Sequence, residues 1–526
     1  MVTCATHKRA APKAQDAPIP ASRPSKRAKV TQSAKPAATQ KQSGRNSTRT
    51  QKATSTTNEP QGTPDVINYA PTEVLDVLVF GNGDNGELGL GPSHTEAPTP
   101  RVNSFLHAGT ETNFHIVQMD CGGMHTVALT SKNQIVTWGV NDNGALGRST
   151  DWSGGLRDVD DDQDENDNED DDGDLNPLES TPTAIPSSAF PASTTFVQVA
   201  AGDSCSLALT NTGLVYGWGT FKWKNGDEML SYDADRGQLV ERQTTPALVQ
   251  GLSGITQIAC GANHALALDA NRGIIWTWGC DEQNQLGRRI ISHRHHDEAS
   301  VSSKLLGLTP QPVHIRDIWY IATGEYHSFA VDRHDNVWAW GLNGFGQTGA
   351  DPGNVGKDGA DVQLPYPKKL QFFHGQKIAV LDGGGHHSVA ITADGRCLTW
   401  GRLTEGQLGI EFRAEQLSSK LIRRDERGDP RICVAPTAVT APMGLIRHAA
   451  CGTDHTIFVS RDGAAFATGF NTQGQLGLGR EDDVVQEAQR IGGKATVKRK
   501  ITWAGAGGQF SVIAGPFLAS PATGET

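Results

Sequence analysis

The alternation of apolar and polar residues between positions 121 and 147 predicts a β-hairpin followed by a glycine-rich loop. Apolar and β-branched residues alternate over 125–130 and 135–139, and the polar residues 131–134 between them are typical of a turn. The glycines at 122, 123, 144 and 147 permit sharp turns or the close approach of another backbone. One hairpin buries too little surface to be stable, so this unit must pack against copies of itself.

The two ends of this unit recur along the chain. The opening of the unit, CGGMH at 121–125, has counterparts at 201–205, 260–264, 323–327, 383–387, 451–455 and 507–510. The closing of the unit, TWGVN at 137–141, has counterparts at 79–83, 217–221, 277–281, 339–343, 399–403 and 467–471. The closing glycines at 219, 279, 341 and 401 are 60, 62 and 60 residues apart. Such a period indicates repetition around a ring or along a solenoid.

The order of openings and closings favours a ring. The first recognisable element, residues 74–91, is a closing without an opening, and the last, 501–514, is an opening without a closing. Together they complete one blade from both ends of the chain, which leaves no free sheet edge, whereas an open solenoid needs polar caps. We therefore predict an all-β fold: a seven-bladed β-propeller over 74–515, closed by N- and C-terminal strands in one shared blade. A disordered basic tail is predicted at 1–73 and a short tail at 516–526.

The N-terminal segment has a composition that opposes independent folding. Residues 1–60 carry 12 Lys and Arg residues against two acidic ones and contain few large apolar side chains. Within it, Lys26, Arg27 and Lys29 have the spacing of a nuclear import signal. A solvated linker is the alternative interpretation, and binding to DNA phosphates is compatible with import.

An acidic run dominates the chain's net charge of −11. Residues 158–174 hold 12 acids in 17 positions, inside a predicted insertion at about 151–180. Residues 168–179 resemble a calcium-binding loop, but Asn168 replaces the usual first Asp and Pro177 is poorly placed. We therefore interpret the run as a solvated loop that contacts basic partners or the chain's own tail.

Other candidate sites are weak in their context. The Gly81-x-Gly83-x-x-Gly86 motif opens no helix, so it is explained by the repeat and not by a dinucleotide. His293, His295 and His296 form a possible zinc cluster but lack nearby Cys ligands. Histidines recur at one position of the openings, as structural residues would, and no nucleophile–base pair accompanies them. The sequence therefore predicts no catalytic residue, no metal site and no cofactor.

The cysteines and the hydropathy profile bear on the compartment. Eight cysteines occur without CxxC spacing, and Cys121, Cys260 and Cys451 take equivalent repeat positions. This distribution favours buried thiols in a reducing nuclear or cytosolic compartment over disulfides. The polar N-terminus and the absence of a long apolar run predict neither a signal peptide nor a membrane span.

One repeat departs from the others after its closing glycine, Gly219. Where most repeats continue towards a Leu-Gly pair, this one reads TFKWKNGD over 220–227. An aromatic–cation–aromatic–cation order ending in Asn-Gly predicts a tight hairpin that displays two rings outward. Exposed aromatic rings are costly unless they contact a partner, although a merely structural bulge is the alternative.

These motifs resemble the regulator of chromosome condensation family, nucleotide-exchange factors for the GTPase Ran, and specifically its fungal type with an acidic insertion. The resemblance rests on the openings and closings, the shared blade and the deviant loop, and it covers residues 74–515. It implies that residues 221–226 match the family's β-wedge, a short hairpin that pushes against the GTPase near its bound nucleotide. It also implies departures, because Asn263 replaces an acidic residue and Phe510 replaces the last opening histidine. The implied GTPase-binding residues are Asp84, Asp203, Phe221, Lys222, Trp223, Lys224, Asn225, Gly226, Arg288, His386 and His387.

The resemblance also implies a role without covalent chemistry. Such a factor would stabilise the nucleotide-free GTPase, act on chromatin in the nucleus, and bind Ran, nucleosomal histones and DNA phosphates, and an import receptor. A monomer without membrane contact is expected. The competing hypothesis is a propeller scaffold or ubiquitin-ligase adaptor of the same superfamily, without exchange activity. A hydrolase propeller is a third hypothesis, although the sequence lacks its catalytic set.

Overall fold

The computed structural model describes residues 65–153, 175–233, 238–290, 299–353, 362–439 and 443–518. These residues belong to one compact unit, residues 63–526. The predicted import signal, the acidic run at 158–174 and the His293, His295 and His296 group lie outside the described residues.

The described residues form seven antiparallel sheets of four or five strands, with two short hairpins added to the second blade. The shared blade begins with β1 (Leu75–Asn82) and β2 (Glu96–Val102). Blade 1 contains β3 (Ile116–Cys121), β4 (His125–Thr130), β5 (Ile135–Gly139) and β6 (Thr183–Ala184). Blade 2 contains β7 (Phe196–Ala201), β8 (Cys205–Thr210), β9 (Val215–Gly219), the paired β10 (Phe221–Lys222) and β11 (Glu228–Met229), the paired β12 (Ser231–Asp233) and β13 (Gln238–Val240), and β14 (Gln243–Leu248).

The remaining blades repeat this plan. Blade 3 contains β15 (Gln257–Cys260), β16 (His264–Asp269), β17 (Ile274–Gly279) and β18 (Gln311–Pro312); blade 4 contains β19 (Ile318–Thr323), β20 (His327–Asp332), β21 (Val337–Leu342) and β22 (Gln363–Lys369). Blade 5 contains β23 (Ile378–Gly383), β24 (His387–Thr392), β25 (Cys397–Arg402), β26 (Ile422–Arg424) and β27 (Pro430–Ala438); blade 6 contains β28 (Ile446–Cys451), β29 (His455–Ser460), β30 (Ala465–Phe470) and β31 (Val484–Arg490). The chain ends with β32 (Trp503–Ala506) and β33 (Phe510–Pro516).

Helices are short and lie in the connections between strands. They are α1 (Pro177–Ser180), α2 (Ala299–Leu308), α3 (Ala414–Leu417) and two 3-10 turns at Ser187–Ala189 and Gln371–Phe373. In the part of the chain that is described, no helix has the length and apolar character needed to cross a membrane. The seven cysteines within it are free thiols.

The ring closes as predicted. The shared sheet has the order β2-β1-β33-β32, so strands from both ends of the chain lie side by side. The β1–β33 pair is antiparallel and runs without a bulge from Leu75 opposite Pro516 to Gly81 opposite Phe510. The seven-bladed propeller predicted from the order of openings and closings is therefore confirmed.

Side chains of one blade satisfy the innermost strand edge of the next. The Gln118 amide accepts the Val199 N–H at 2.7 Å and donates to the Val199 carbonyl at 3.2 Å. Gln198 and Gln257 make the same paired contacts with blades 3 and 4. An unpaired strand edge buried at a blade boundary would be costly, so these amides stabilise the ring.

Buried histidines join neighbouring blades at their second strands. Each histidine Nε2 lies 2.7–2.9 Å from a hydroxyl of the next blade, and that hydroxyl donates to a loop carbonyl at 2.8–3.1 Å. Because the hydroxyl proton is committed to the carbonyl, the histidine must donate from Nε2. The pairs are His125–Ser206, His264–Ser328, His327–Ser388, His387–Thr456 and His455–Ser511.

Two boundaries lack this histidine contact. Cys205 replaces the histidine of blade 2, and the next blade carries Ala265 where a hydroxyl would stand. Phe510 replaces the histidine of the shared blade, and its ring is buried in the core with Trp138. Packing therefore replaces a hydrogen bond at these positions.

A strap, residues 65–73, runs along the propeller before β1. The backbone N–H groups of Ile67 and Asn68 donate to the Asn211 carbonyl at 2.9 and 3.0 Å. The Asn68 side chain donates to the carbonyls of Thr210 and Ile255 at 3.1 and 2.8 Å. The predicted tail at 1–73 therefore extends too far, because residues in the strap pack on blade 2. These contacts lie at the end of β8 opposite to its opening.

Candidate functional site

The seven openings lie together at one end of the ring, which we call the opening face. It consists of the turns at 122–124, 202–204, 261–263, 324–326, 384–386, 452–454 and 507–509. The closing glycine next to each turn holds it in place. Gly139 has φ +101°, and a Cβ there would lie 2.4 Å from the Met124 carbonyl oxygen, which accepts the Val140 N–H at 3.0 Å. Only glycine fits this approach.

The deviant repeat forms a small hairpin on this face, the wedge hairpin, residues 221–229. Its strands β10 and β11 pair through Phe221 opposite Met229 and Lys222 opposite Glu228. The Trp223 N–H donates to the Asp227 carbonyl, and the Gly226 N–H donates to the Trp223 carbonyl, both at 2.9 Å. Gly226 has φ +84°, which a turn of this kind requires at that position. The hairpin predicted from Asn-Gly is confirmed.

The prediction that two aromatic rings face outward is wrong. Phe221 is fully buried and packs in one hydrophobic cluster with Met229 and Leu308. Trp223 is half-buried against the same cluster. The exposed part of the wedge hairpin is polar and consists of Lys224, Asn225 and Gly226. Burial of the rings stabilises the base of the hairpin. Its polar tip stays exposed and is accessible to a partner.

A cavity of about 460 Å³ brings several predicted residues together beside the wedge hairpin. Blades 2 to 5 all contribute to its wall. The lining residues are Asp203, Lys222, Trp223, Lys224, Asn263, Cys280, Glu282, Gln283, Gln285, Tyr326, Leu342, Phe345 and His386. Its mixture of aromatic and charged groups is typical of a protein-recognition surface.

Asp203 lies between this cavity and the central channel of the ring. It lines both spaces, and its backbone N–H donates to the Ala262 carbonyl at 3.0 Å. Glu325 lies on the channel side and accepts a hydrogen bond from the Thr453 hydroxyl at 2.7 Å. Burial, with the nearby carboxylates of Asp203 and Asp454, raises the pKa of Glu325 to about 7. A cationic partner group at the channel mouth would therefore favour the ionised form of Glu325.

His386 forms the opposite wall of the cavity. Its ring meets Phe345 edge-on with 4.6 Å between centroids, and Phe345 is stacked by Arg431 at 4.9 Å. Burial, followed by the charges of Arg402 and Arg431, lowers the pKa of His386 to about 4. The ring is therefore neutral at physiological pH and offers hydrogen bonds instead of charge.

Asp84 lies on the opening face but away from this cavity. It is exposed in the loop after β1, where Asn82 orders it through bonds of 2.8 and 2.9 Å. A partner that contacts both Asp84 and the cavity must therefore extend across several blades.

Besides Phe221, two further predicted GTPase-binding residues are buried. His387 is 0% exposed and binds the Thr456 hydroxyl at 2.8 Å, and burial lowers its pKa to about 3. Arg288 is 9% exposed, and its guanidinium donates to Thr277 and to carbonyls at the end of α2. In this structure the polar atoms of both side chains are committed to hydrogen bonds within the fold, so neither side chain is presented to a partner.

Sequence reasoning missed several residues of the site. Glu325 takes the same place in its opening as Asp203, so the repeat alignment held a signal for it. Tyr326 and Asn263 take the place of His386 in their openings. The Asn263 Oδ1 atom accepts the Lys222 N–H at 2.7 Å, so this side chain helps to hold the wedge hairpin. Phe345 gave no such signal, because only the fold brings it to His386.

Metal chemistry finds no support in the described residues, since no group of three or more His, Cys, Asp or Glu side chains there could hold an ion.

Comparisons with known proteins agree with the architecture. Residues 76–513 match the model of the RCC1-like domain. The guanine nucleotide exchange factor SRM1 of Saccharomyces cerevisiae is 36% identical over 455 residues, covering 85% of this chain and 88% of that protein.

Two solved structures resemble the chain closely. One is Prp20p from Saccharomyces cerevisiae, described with its binding to Gsp1p and histones; it has a TM-score of 0.73 and 35% identity and covers 86% of this chain and 93% of that one. The other is yeast RCC1 (Prp20) bound to Kap60, with a TM-score of 0.73, 33% identity and coverage of 89% and 97%. The extent of the family match and the shared seven-bladed ring lead to one conclusion: this chain belongs to the RCC1-like domain family.

Proposed function

We propose that this chain is a guanine-nucleotide exchange factor for the nuclear GTPase Ran. One observation carries the proposal beyond the family match: Asp203 and the wedge hairpin of blade 2 and His386 of blade 5 line one cavity on the opening face. A relative that is 36% identical over 85% of this chain is an exchange factor by name, and the similar Prp20p is described with Gsp1p.

The mechanism uses binding energy and makes no covalent bond. A GTPase holds its nucleotide through backbone N–H groups, a lysine and Mg²⁺. A factor that binds the nucleotide-free form better than the loaded form shifts the population towards release. The acidic groups Asp203 and Glu325 would attract basic groups of the GTPase, and the polar tip at 224–226 would displace its nucleotide-binding loops.

Binding to chromatin would use other parts of the chain. The basic residues of 1–60 would contact DNA phosphates, and Lys26, Arg27 and Lys29 would bind an import receptor. Nuclear, chromatin-associated localisation follows from these two contacts. The similar Prp20p is described with histones, and yeast RCC1 with Kap60.

The test is a crossed comparison of two variants in two assays. Asp203→Ala should slow the release of labelled GDP from Ran, because stranding a charged partner group costs roughly 2–5 kcal/mol and each 1.4 kcal/mol is about tenfold in rate. Deletion of residues 1–60 should weaken nucleosome binding, more steeply as salt rises, and leave exchange nearly unchanged. A normal exchange rate for Asp203→Ala would contradict the assigned face. Absence of any stimulated release by the wild type would favour the scaffold hypothesis.

A further inference from the structure

The wedge hairpin belongs to blade 2 but is held by blade 3. The Lys222 N–H donates to the Asn263 side chain at 2.7 Å, and the Lys224 N–H donates to the Glu282 carboxylate at 2.8 Å. Each strand of the hairpin is only two residues long. A hairpin this short is marginal in water by itself, so its position depends on such external contacts.

Helix α2 supports the other side of the wedge hairpin. The Lys304 ammonium group forms an ion pair with Asp227, and it lies 5.8 Å from the centroid of the Trp223 ring. The Lys304 side chain is only 16% exposed. Leu308, at the end of the helix, packs in the same buried cluster as Phe221 and Met229. One helix therefore contacts both the base and the turn of the hairpin.

Arg288 fixes the C-terminal end of α2. Its Nη2 atom donates to the carbonyls of Leu306, Gly307 and Thr309 at 3.0, 3.3 and 3.3 Å. The last carbonyls of a helix have no partner within the helix, and a cation is favourable there. The Arg288 Nε atom is anchored in turn by the Thr277 hydroxyl at 3.2 Å. The guanidinium thus connects β17 to the helix that supports the wedge hairpin.

Arg148 provides a matched comparison in blade 1. It follows the same loop motif, and it donates to the Thr137 hydroxyl and carbonyl at 3.1 and 2.9 Å, as Arg288 does to Thr277. It is buried to a similar degree, with 6% exposure against 9%. None of its hydrogen bonds reaches α2 or the wedge hairpin in the described structure.

We propose that Arg288 and Lys304 are positioning residues for nucleotide exchange: Arg288 holds α2, and α2 holds the wedge hairpin through Lys304. The proposal rests on the proposed exchange function. A loose hairpin must be ordered when it meets the GTPase, and that cost weakens the complex that the factor has to stabilise. Arg288 thereby affects exchange without touching the partner.

The first measurement is amide hydrogen exchange of residues 221–229 in the free full-length protein. Lys304→Ala should raise the exchange rate of this segment about fivefold, since a half-buried ion pair and a cation–π contact are lost. Arg288→Ala should raise it by a similar factor, and Lys304→Arg should restore protection. Arg148→Ala should leave the segment unchanged, even where it lowers the melting temperature. Equal exchange in wild type and Lys304→Ala would overturn the proposal.

The second measurement is GDP release from Ran at increasing factor concentration. Lys304→Ala and Arg288→Ala should each lower the maximal release rate. A double variant with Lys304→Ala and Asp227→Ala should release GDP about as slowly as either of these single variants, because both changes remove the same ion pair. Slower release by Arg288→Ala with a fully protected wedge hairpin would contradict the proposal and indicate direct contact. An equal loss in Arg148→Ala would assign the effect to general stability and also contradict it. If the wild type fails to release GDP, the exchange function fails, while the hydrogen-exchange comparison still tests the support of the wedge hairpin.

Discussion

The Nε2 atom of His387 lies 2.8 Å from the Thr456 hydroxyl and joins blade 5 to blade 6. Its neighbour His386 lies in the turn before β24 and lines the cavity beside the wedge hairpin. Two adjacent residues of one type thus serve the fold and the candidate site separately.

Alanine substitutions should separate these roles. His387→Ala removes a buried ring and leaves the Thr456 hydroxyl without its donor, so we expect a loss of about 2–4 kcal/mol in the free energy of unfolding. His386→Ala should slow GDP release from Ran with a much smaller change in stability, because its ring is half-buried at the surface. Urea unfolding and the GDP-release assay on both variants check this. A reversed pattern would show that the two assignments are wrong.

The buried histidines should make the fold sensitive to acid. Burial lowers the pKa of His387 from 6.5 to about 3 in the folded state, so folding favours the neutral ring. Its stabilising contribution is present above the unfolded pKa of 6.5 and is lost as the pH falls from there towards 3. His264, His327 and His455 behave in the same way.

Urea midpoints between pH 7.5 and about 4.5 would measure this effect. We expect the wild-type midpoint to fall with pH, and the stability difference between the wild type and His387→Gln to shrink over the same interval. A difference that stays constant with pH would mean that His387 does not titrate as its burial requires.

Closure of the ring should govern cooperativity. A truncation that begins after Arg101 removes β1 and most of β2 and exposes the edge of β33 along seven paired residues. We expect loss of the single unfolding transition and a tendency to aggregate. Deletion of residues 1–62 is the control, because it leaves β1 and the strap in place. A soluble truncated protein with an unchanged melting transition would refute the closed ring.

The import signal remains a prediction from sequence. Replacing Lys26, Arg27 and Lys29 with Ala should leave the protein largely in the cytoplasm, since the cations that an acidic groove of an import receptor would bind are gone. Exchange activity in vitro should be intact. Microscopy of a fluorescent fusion checks the first expectation, and undiminished nuclear accumulation would move the signal elsewhere, for example to Lys8 and Arg9.

The repeat in the sequence was sufficient for the fold and for part of the site. Openings and closings at a regular spacing, with half a unit at each end, predicted the seven blades and the shared sheet. The position of Asp203 in its opening and the Asn-Gly turn at 225–226 likewise placed these residues on the opening face. Local pattern suffices here because the backbone of each blade is set by residues close in sequence.

Only the tertiary structure decided which of these residues a partner can reach. The sequence suggests exposure for Phe221 because it begins a predicted hairpin, and for Arg288 because it follows a polar loop. In the structure Phe221 packs in one cluster with Leu308, and Arg288 binds the end of α2. The contacts of Asn263 with Lys222 and of Phe345 with His386 join residues 41 positions apart in both cases. Burial and pairing across blade boundaries depend on distances in space, and a repeat pattern along the chain carries no information on them.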